Sequence, residues 1–200
     1  MNRRRLILAL AALPAIAALP ALAQAVDVSA IEAYLRGLHS AEGGFRQTNP
    51  NGSTQTGRFY LAKPGRIRFE YDAPPGAMVI ADGINVGVFD PKSNRGAARY
   101  PLGRTPLSLL LRDDLSLTEP GLVLGATRDA NGVNITVVDP RAPAEGRMIM
   151  SFGEDPIALR QWVITTKAGQ RTAVALTDLR TGVALDRSLF NIELAEAKLR

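Results

Sequence analysis

His39 is the only histidine in the chain, and there is no cysteine. Those two counts decide most of the chemistry that side chains could perform here. A Ser-His-Asp hydrolase would have to use that one imidazole, and no Gly-x-Ser-x-Gly elbow accompanies it. His39 also falls near the end of the first predicted helix, where contact with the helix dipole accounts for it. Asp82, Asp90, Asp113 and Asp114 could supply paired carboxylates for acid–base work, but Asp82 and Asp90 stand at turn signals. A metal centre needs a spaced His/Cys cluster, which is missing. So is a Gly-rich nucleotide loop. The expectation is a protein that is not an enzyme and needs no metal or cofactor.

What the sequence supplies in quantity is apolar surface, placed with regular period. Residues 66–72 alternate cleanly, with Ile67, Phe69 and Tyr71 on one face and Arg66, Arg68, Glu70 and Asp72 on the other. Leu107, Leu109, Leu110 and Leu111 follow one another with almost no polar relief. Side chains of this kind bind hydrocarbon, each other's or a ligand's.

The elements that must position them are many and short. A first helix is predicted over 29–39, with Ser29 and Glu32 as a capping box and Ile31, Tyr34, Leu35 and Leu38 on one face. After Gly43-Gly44 the period changes to two. Strands are predicted over 54–62 and 66–72, separated by the turn Lys63-Pro64-Gly65. Pro74-Pro75-Gly76 makes the next break. Asp82-Gly83 between apolar runs signals a two-residue hairpin, pairing Ala81 with Ile84 and Val79 with Val86. One face would then carry Val79, Ala81, Ile84, Val86 and Val88. Further strands are expected near 96–100, 122–128, 133–138, 147–152, 159–166 and 171–179, with a short one around Phe190. Thr105 as N-cap and Pro106 at the first helical position open a second, short helix. Asp113-Asp114 ends its apolar run.

The chain opens on Asn2-Arg3-Arg4-Arg5, an apolar stretch from Leu6 to Leu19, and Ala21-Leu22-Ala23. That is the layout of a cleavable secretory signal over residues 1–23. Pro14 and Pro20 argue against a membrane anchor. Cleavage leaves residues 24–200 as a single domain. Of 24 basic and 19 acidic residues, Arg3, Arg4 and Arg5 leave with the signal. The mature excess falls to +2, which removes the main support for nucleic-acid binding. The expected location is the periplasm.

One long meander and two short helices sharing one apolar side suggest a curved sheet whose groove the Leu-rich helix covers. The alternative is that this helix simply fills the core. Phe45-Arg46-Gln47 after a first helix, Gly57 through Leu61 into Lys63-Pro64-Gly65-Arg66-Ile67-Arg68-Phe69-Glu70-Tyr71, and Val79-Ile80-Ala81-Asp82-Gly83 form an ordered series. Val88-Phe89-Asp90-Pro91, Thr105-Pro106-Leu107, Leu159 to Trp162, Gly169, Thr172, Leu176 and Leu189-Phe190 continue it. In that order they resemble the periplasmic outer-membrane lipoprotein carrier family (the LolA type).

The resemblance implies a mainly β fold: an open half-barrel of about eleven antiparallel strands lidded by short helices. It implies a monomeric carrier that takes acylated lipoproteins from an inner-membrane ABC-type release complex toward the outer membrane, in many relatives to a receptor lipoprotein. A lipid- or glycolipid-binding or sensing module of the same shape is the alternative. The acyl groove would be lined by Phe45, Phe59, Leu61, Ile67, Phe69, Tyr71, Val79, Val86, Val88, Met148, Met150 and Trp162, with Leu107, Leu110 and Leu111 as lid. The family often has Arg before the strand-leading proline, where it holds the lid shut. Lys63 stands there in this chain and lacks the guanidinium fork.

Overall fold

The computed structural model describes residues 28–93 and 96–199. The signal read at residues 1–23 lies outside them. The first helix, α1, spans Ser29–Gly37. It buries Ile31 and Leu35, the apolar stripe read from its helical spacing. Its N-cap is Val28 rather than Ser29, without a side-chain cap bond. The expected capping box does not form, because the Glu32 carboxylate is engaged with another segment.

Six strands follow: β1 Ser40–Thr48, β2 Thr54–Ala62, β3 Arg66–Tyr71, β4 Met78–Asp82, β5 Asn85–Phe89 and β6 Ala98–Pro101. After a 3-10 turn at Leu102–Arg104 comes the short helix α2, Leu107–Leu111. Five strands complete the sheet: β7 Val123–Asp129, β8 Gly132–Val137, β9 Gly146–Glu154, β10 Ile157–Thr166 and β11 Arg171–Thr181. A 3-10 turn at Arg187–Phe190 and helix α3, Ile192–Lys198, close the chain.

All eleven strands lie in one open antiparallel sheet, in the order β6-β5-β4-β3-β2-β1-β11-β10-β9-β8-β7. Alternation along each strand sorts side chains onto two faces. The inner face packs against α1 and α2 and holds the main core, from Phe45, Phe59 and Phe69 to Met150, Phe152 and Trp162. The expected half-barrel is thus the observed fold.

Three further local readings need correction. The Asp82-Gly83 hairpin is displaced by two residues: Ala81 pairs with Val86 and Val79 with Val88. The Asp82 carboxylate accepts both the Ile84 and Asn85 amides, at 2.8 and 2.7 Å, and so builds a wider turn. Ile84 consequently leaves the inner face and is 77% exposed. Thr105 does not cap α2, since its hydroxyl donates to the Leu102 carbonyl and Pro106 takes the N-cap place. No strand forms around Phe190. Asp186 accepts the Ser188 amide and Asn191 accepts the Leu194 amide, and these two caps set the 3-10 turn and then α3. The two expected helices, α1 and α2, do share the inner side, but the third, α3, does not join them. Ile192 and Ala195 of α3 pack with Ile80 and Phe89 in a second cluster. Ile80 and Phe89 alternate with the inner-face residues Ala81 and Val88, so this cluster lies on the outer face.

Candidate functional site

Position in the ladders explains why the inner face is so apolar. Phe45 on β1 stands opposite Gly57 on β2, and Phe59 opposite Phe69 on β3. A Cβ at Gly57 would fall 1.9 Å from the Glu70 carbonyl oxygen and 2.9 Å from the Phe45 ring, so glycine admits both the backbone of β3 and the phenyl group. Phe45 meets the rings of Phe69 and Tyr71 edge-on, with centroids 5.1 and 5.2 Å apart. Met148 and Met150 on β9 face Ile164 and Trp162 on β10.

Of the twelve residues expected to line a groove, nine are buried together in the inner core: Phe45, Phe59, Leu61, Ile67, Phe69, Val86, Met148, Met150 and Trp162. Tyr71 and Val79 pack against it half-buried. The Tyr71 hydroxyl donates to Gln47 at 2.9 Å, and burial pushes its pKa up to about 12 against the lowering effect of that bond. Val88 shares the face but is 37% exposed, and its ladder neighbour Ala98 is exposed too. Apolar surface therefore continues outward past the covered part of the sheet.

The cover is the segment between β6 and β7. Leu107, Leu110 and Leu111 of α2 are buried in the inner core. Leu109, which a single helical face would leave outside, is buried as well. Leu115, Leu117 and Leu122 extend the same contact. Against this apolar area, the polar attachments are few. Among the described residues one hydrogen bond ties α2 to the sheet region, from the Gly65 amide to the Leu111 carbonyl at 2.9 Å. Gly65 has φ +75°, and a Cβ there would sit 2.7 Å from the Gly83 Cα. Only glycine fits that turn without strain.

Two residues earlier in the same turn, Lys63 is 8% exposed. Its ammonium donates to the Leu35 carbonyl at 2.9 Å, in the last turn of α1, where helix carbonyls lack partners. Burial lowers the lysine pKa to about 8, partly offset by Asp113. So the β2–β3 turn grips both helices, α1 through the Lys63 side chain and α2 through the Gly65 backbone. In the closed arrangement Lys63 is directed at α1, not at the α2 carbonyls.

Sequence reasoning missed Glu32. Its Oε2 accepts the Leu117 amide at 2.7 Å and the Ser116 hydroxyl at 3.4 Å. Its spacing from Ser29 mimics a local cap, and nothing in the linear pattern points 85 residues downstream. Among the described residues no group of three or more His, Cys, Asp or Glu is placed to hold a metal. Nor is any helix long and apolar enough to cross a membrane.

The arrangement is an apolar sheet face covered by the protein's own leucines. Known proteins are similar to this chain. A curated outer-membrane lipoprotein carrier protein from Leptothrix cholodnii is 36% identical over 96 residues, which is 44% of this chain and 45% of that protein. Another of the same description, from Xanthomonas campestris, is 28% identical over 171 residues, 80% of each chain. An outer membrane lipoprotein-sorting protein domain from Vibrio parahaemolyticus superposes with a TM-score of 0.51 at 12% identity, covering 84% of this chain and 97% of that one, a likeness of fold alone. The sequence profile described as "Outer membrane lipoprotein carrier protein LolA" matches residues 36–193, from the last turn of α1 into α3. With that span covering the sheet and the leucine segment together, the chain belongs to the outer-membrane lipoprotein carrier family.

Proposed function

We propose that this protein is a periplasmic carrier that shields the acyl chains of lipoproteins between the inner and outer membranes. Residues 1–23 direct export and are removed, leaving residues 24–200 as the carrier domain. The inner-face residues from Phe45 to Trp162 receive the acyl chains, and α2 with its flanks is the lid that vacates them.

The observation that carries this reading is the way α2 is held. Four leucines are buried on the inner face, while a single hydrogen bond fixes the helix to the sheet region. A contact that is almost wholly apolar can be exchanged for another of the same kind without orphaning polar groups. The magnitudes agree. Burying a leucine is worth about 1.5–3 kcal/mol, so the four together give roughly 6–12. An acyl chain of about fifteen methylenes, at ~0.8 kcal/mol each, gives ~12. Exchange of lid for lipid is near balance, which is what a carrier needs in order to release. A permanently empty groove would hold its cargo too tightly.

Loading requires a partner that spends energy, since the chain has no nucleotide loop of its own. An inner-membrane ABC-type release complex fits that role, and an outer-membrane receptor lipoprotein fits the role of acceptor. The test is purification from cells with intact lipoprotein sorting, followed by mass spectrometry of extracted lipid and attached protein. Acylated lipoprotein at stoichiometric or substoichiometric amounts is expected. Free fatty acid or glycolipid in its place would make the protein a lipid shuttle, and clean protein would count against carriage. Photocrosslinking from position 69 in living cells identifies the occupant directly.

A further inference from the structure

We propose that Glu32 is the latch of the lid: its carboxylate, projecting from α1, holds the stretch behind α2 closed. This inference rests on the lid reading above. α2 is pinned on two sides. Upstream of Arg112 the Leu111 carbonyl accepts the Gly65 amide at 2.9 Å. Downstream, at the buried Leu117, the backbone amide donates to Glu32 Oε2 at 2.7 Å, and the Ser116 hydroxyl approaches the same oxygen at 3.4 Å. The other carboxylate oxygen, Oε1, pairs with Arg36 one turn along α1, at 2.5 Å.

Several features make this more than a surface contact. The Glu32 side chain is 15% exposed, so the bond is shielded from water. A backbone amide donating to a carboxylate is charge-assisted and stronger than the neutral bond at Gly65. Leu117 lies outside any helix or strand, so its amide has no ladder to fall back on. Arg36 is 58% exposed and holds the carboxylate without touching the lid. When α2 leaves the inner face, Leu117 must either stay tethered to α1 or break from Glu32. A buried amide that loses its acceptor must reach water, so the lid opens as one piece from α2 through Leu117, and Glu32 sets how readily it does so.

Amide hydrogen exchange on the full mature chain tests the proposal. Glu32→Ala is expected to speed exchange at Leu117 and, with it, at Gly65, each by ten-fold or more. Gly65 is the informative site. It belongs to the β2–β3 turn, and its amide reaches the lid only through the Leu111 carbonyl. Glu32→Gln keeps an acceptor without the charge and should restore part of the protection, while Arg36→Ala, which frees only Oε1, should speed Gly65 exchange less than Glu32→Ala does. Faster exchange at Leu117 alone, with Gly65 as in wild type, overturns the proposal.

A second variant covers poor folding of the first. The chain has no cysteine, so Glu32→Cys with Ser116→Cys, joined by a short bis-maleimide, rebuilds the tether covalently. Gly65 exchange should then fall below the wild-type rate, and an unaltered rate refutes the latch. Binding of a fluorescent palmitoyl-cysteinyl peptide is read separately. Gly65 changes without peptide binding by any variant would uphold the latch and remove the carrier reading.

Discussion

The rings of Phe69 and Trp162 lie 6.2 Å apart, although four strand steps separate β3 from β10 in the sheet. Adjacent strands are about 4.8 Å apart, so on a flat sheet their backbones would stand ~19 Å from each other. Two inward-pointing side chains cannot close that gap alone. The sheet curls around this pair, and Trp162, the only tryptophan of the chain, sits at the bottom of the curl.

Trp162 should therefore report on what occupies the inner face. Adding a palmitoyl-cysteinyl peptide is expected to shift its emission and alter its acrylamide quenching in a saturable way, while a peptide without the acyl chain does neither. A fluorescence titration decides this, and an unresponsive Trp162 would argue against acyl chains reaching β10.

Phe69→Ala removes a ring that contacts Phe45, Phe59 and Trp162. The expected loss of stability is about 3–5 kcal/mol. Chemical denaturation measures it. Ile192→Ala in the outer cluster should cost about 2–5 kcal/mol by the same rule while leaving peptide binding intact. Weakened binding in that variant would mean that the two faces are coupled.

Leu110→Ala tests the exchange of lid for lipid. Under the proposed exchange the lid leucines leave the inner face on loading, so the substitution weakens only the closed state. Peptide affinity is expected to rise by ten-fold or more, out of about 2–5 kcal/mol of lost packing. Affinity equal to or below wild type would show that the leucines are needed by the loaded form.

Lys63 gives a dependence on pH. Its folded pKa is about 8, below the ordinary 10.5, and burial is the cause. The unfolded chain then binds more protons across that window, so stability rises as pH rises from 8 toward 10.5. The full effect is up to about 3 kcal/mol. Tyr71 acts in the opposite sense above pH 10, since its folded pKa is raised. Denaturation midpoints at pH 7, 8.5 and 9.5 avoid that range. Wild type should gain stability along the series, and Lys63→Met should stay flat.

Gly65→Ala places a side chain in a left-handed backbone, with its Cβ 2.7 Å from the Gly83 Cα. A loss above 1 kcal/mol is expected, along with loosening of α2. Thermal unfolding and Leu111-region exchange would check both.

Much of the fold was legible because the strands obey a two-residue period. The alternation at Ile67, Phe69 and Tyr71 puts all three on the inner side of β3, and the leucine run of α2 lies buried against the same face. What escaped was set by contacts remote in sequence or by side chains that substitute for backbone. Asp82 widened a turn that its dipeptide signalled as tight. Asp186 and Asn191 capped helical turns where a lone Phe190 hinted at a strand. Glu32 has the spacing of a local cap, and only the fold reveals that its partner is Leu117. Lys63 was singled out from its place before proline, but the identity of its acceptor, the Leu35 carbonyl, depended on where α1 came to rest.

The strand order has a last consequence, for assembly. Nine of the ten ladders join strands adjacent in sequence, and only β1 with β11 joins distant ones, as at Ala41 and Thr181. Hairpin ladders form early because little chain entropy is lost in closing them. Each half-sheet can therefore mature by itself, and the central seam must zip last, against the entropy of a loop more than a hundred residues long. Substitutions along that seam, at Phe45, Val174 or Leu176, should slow folding far more than equal changes at either rim.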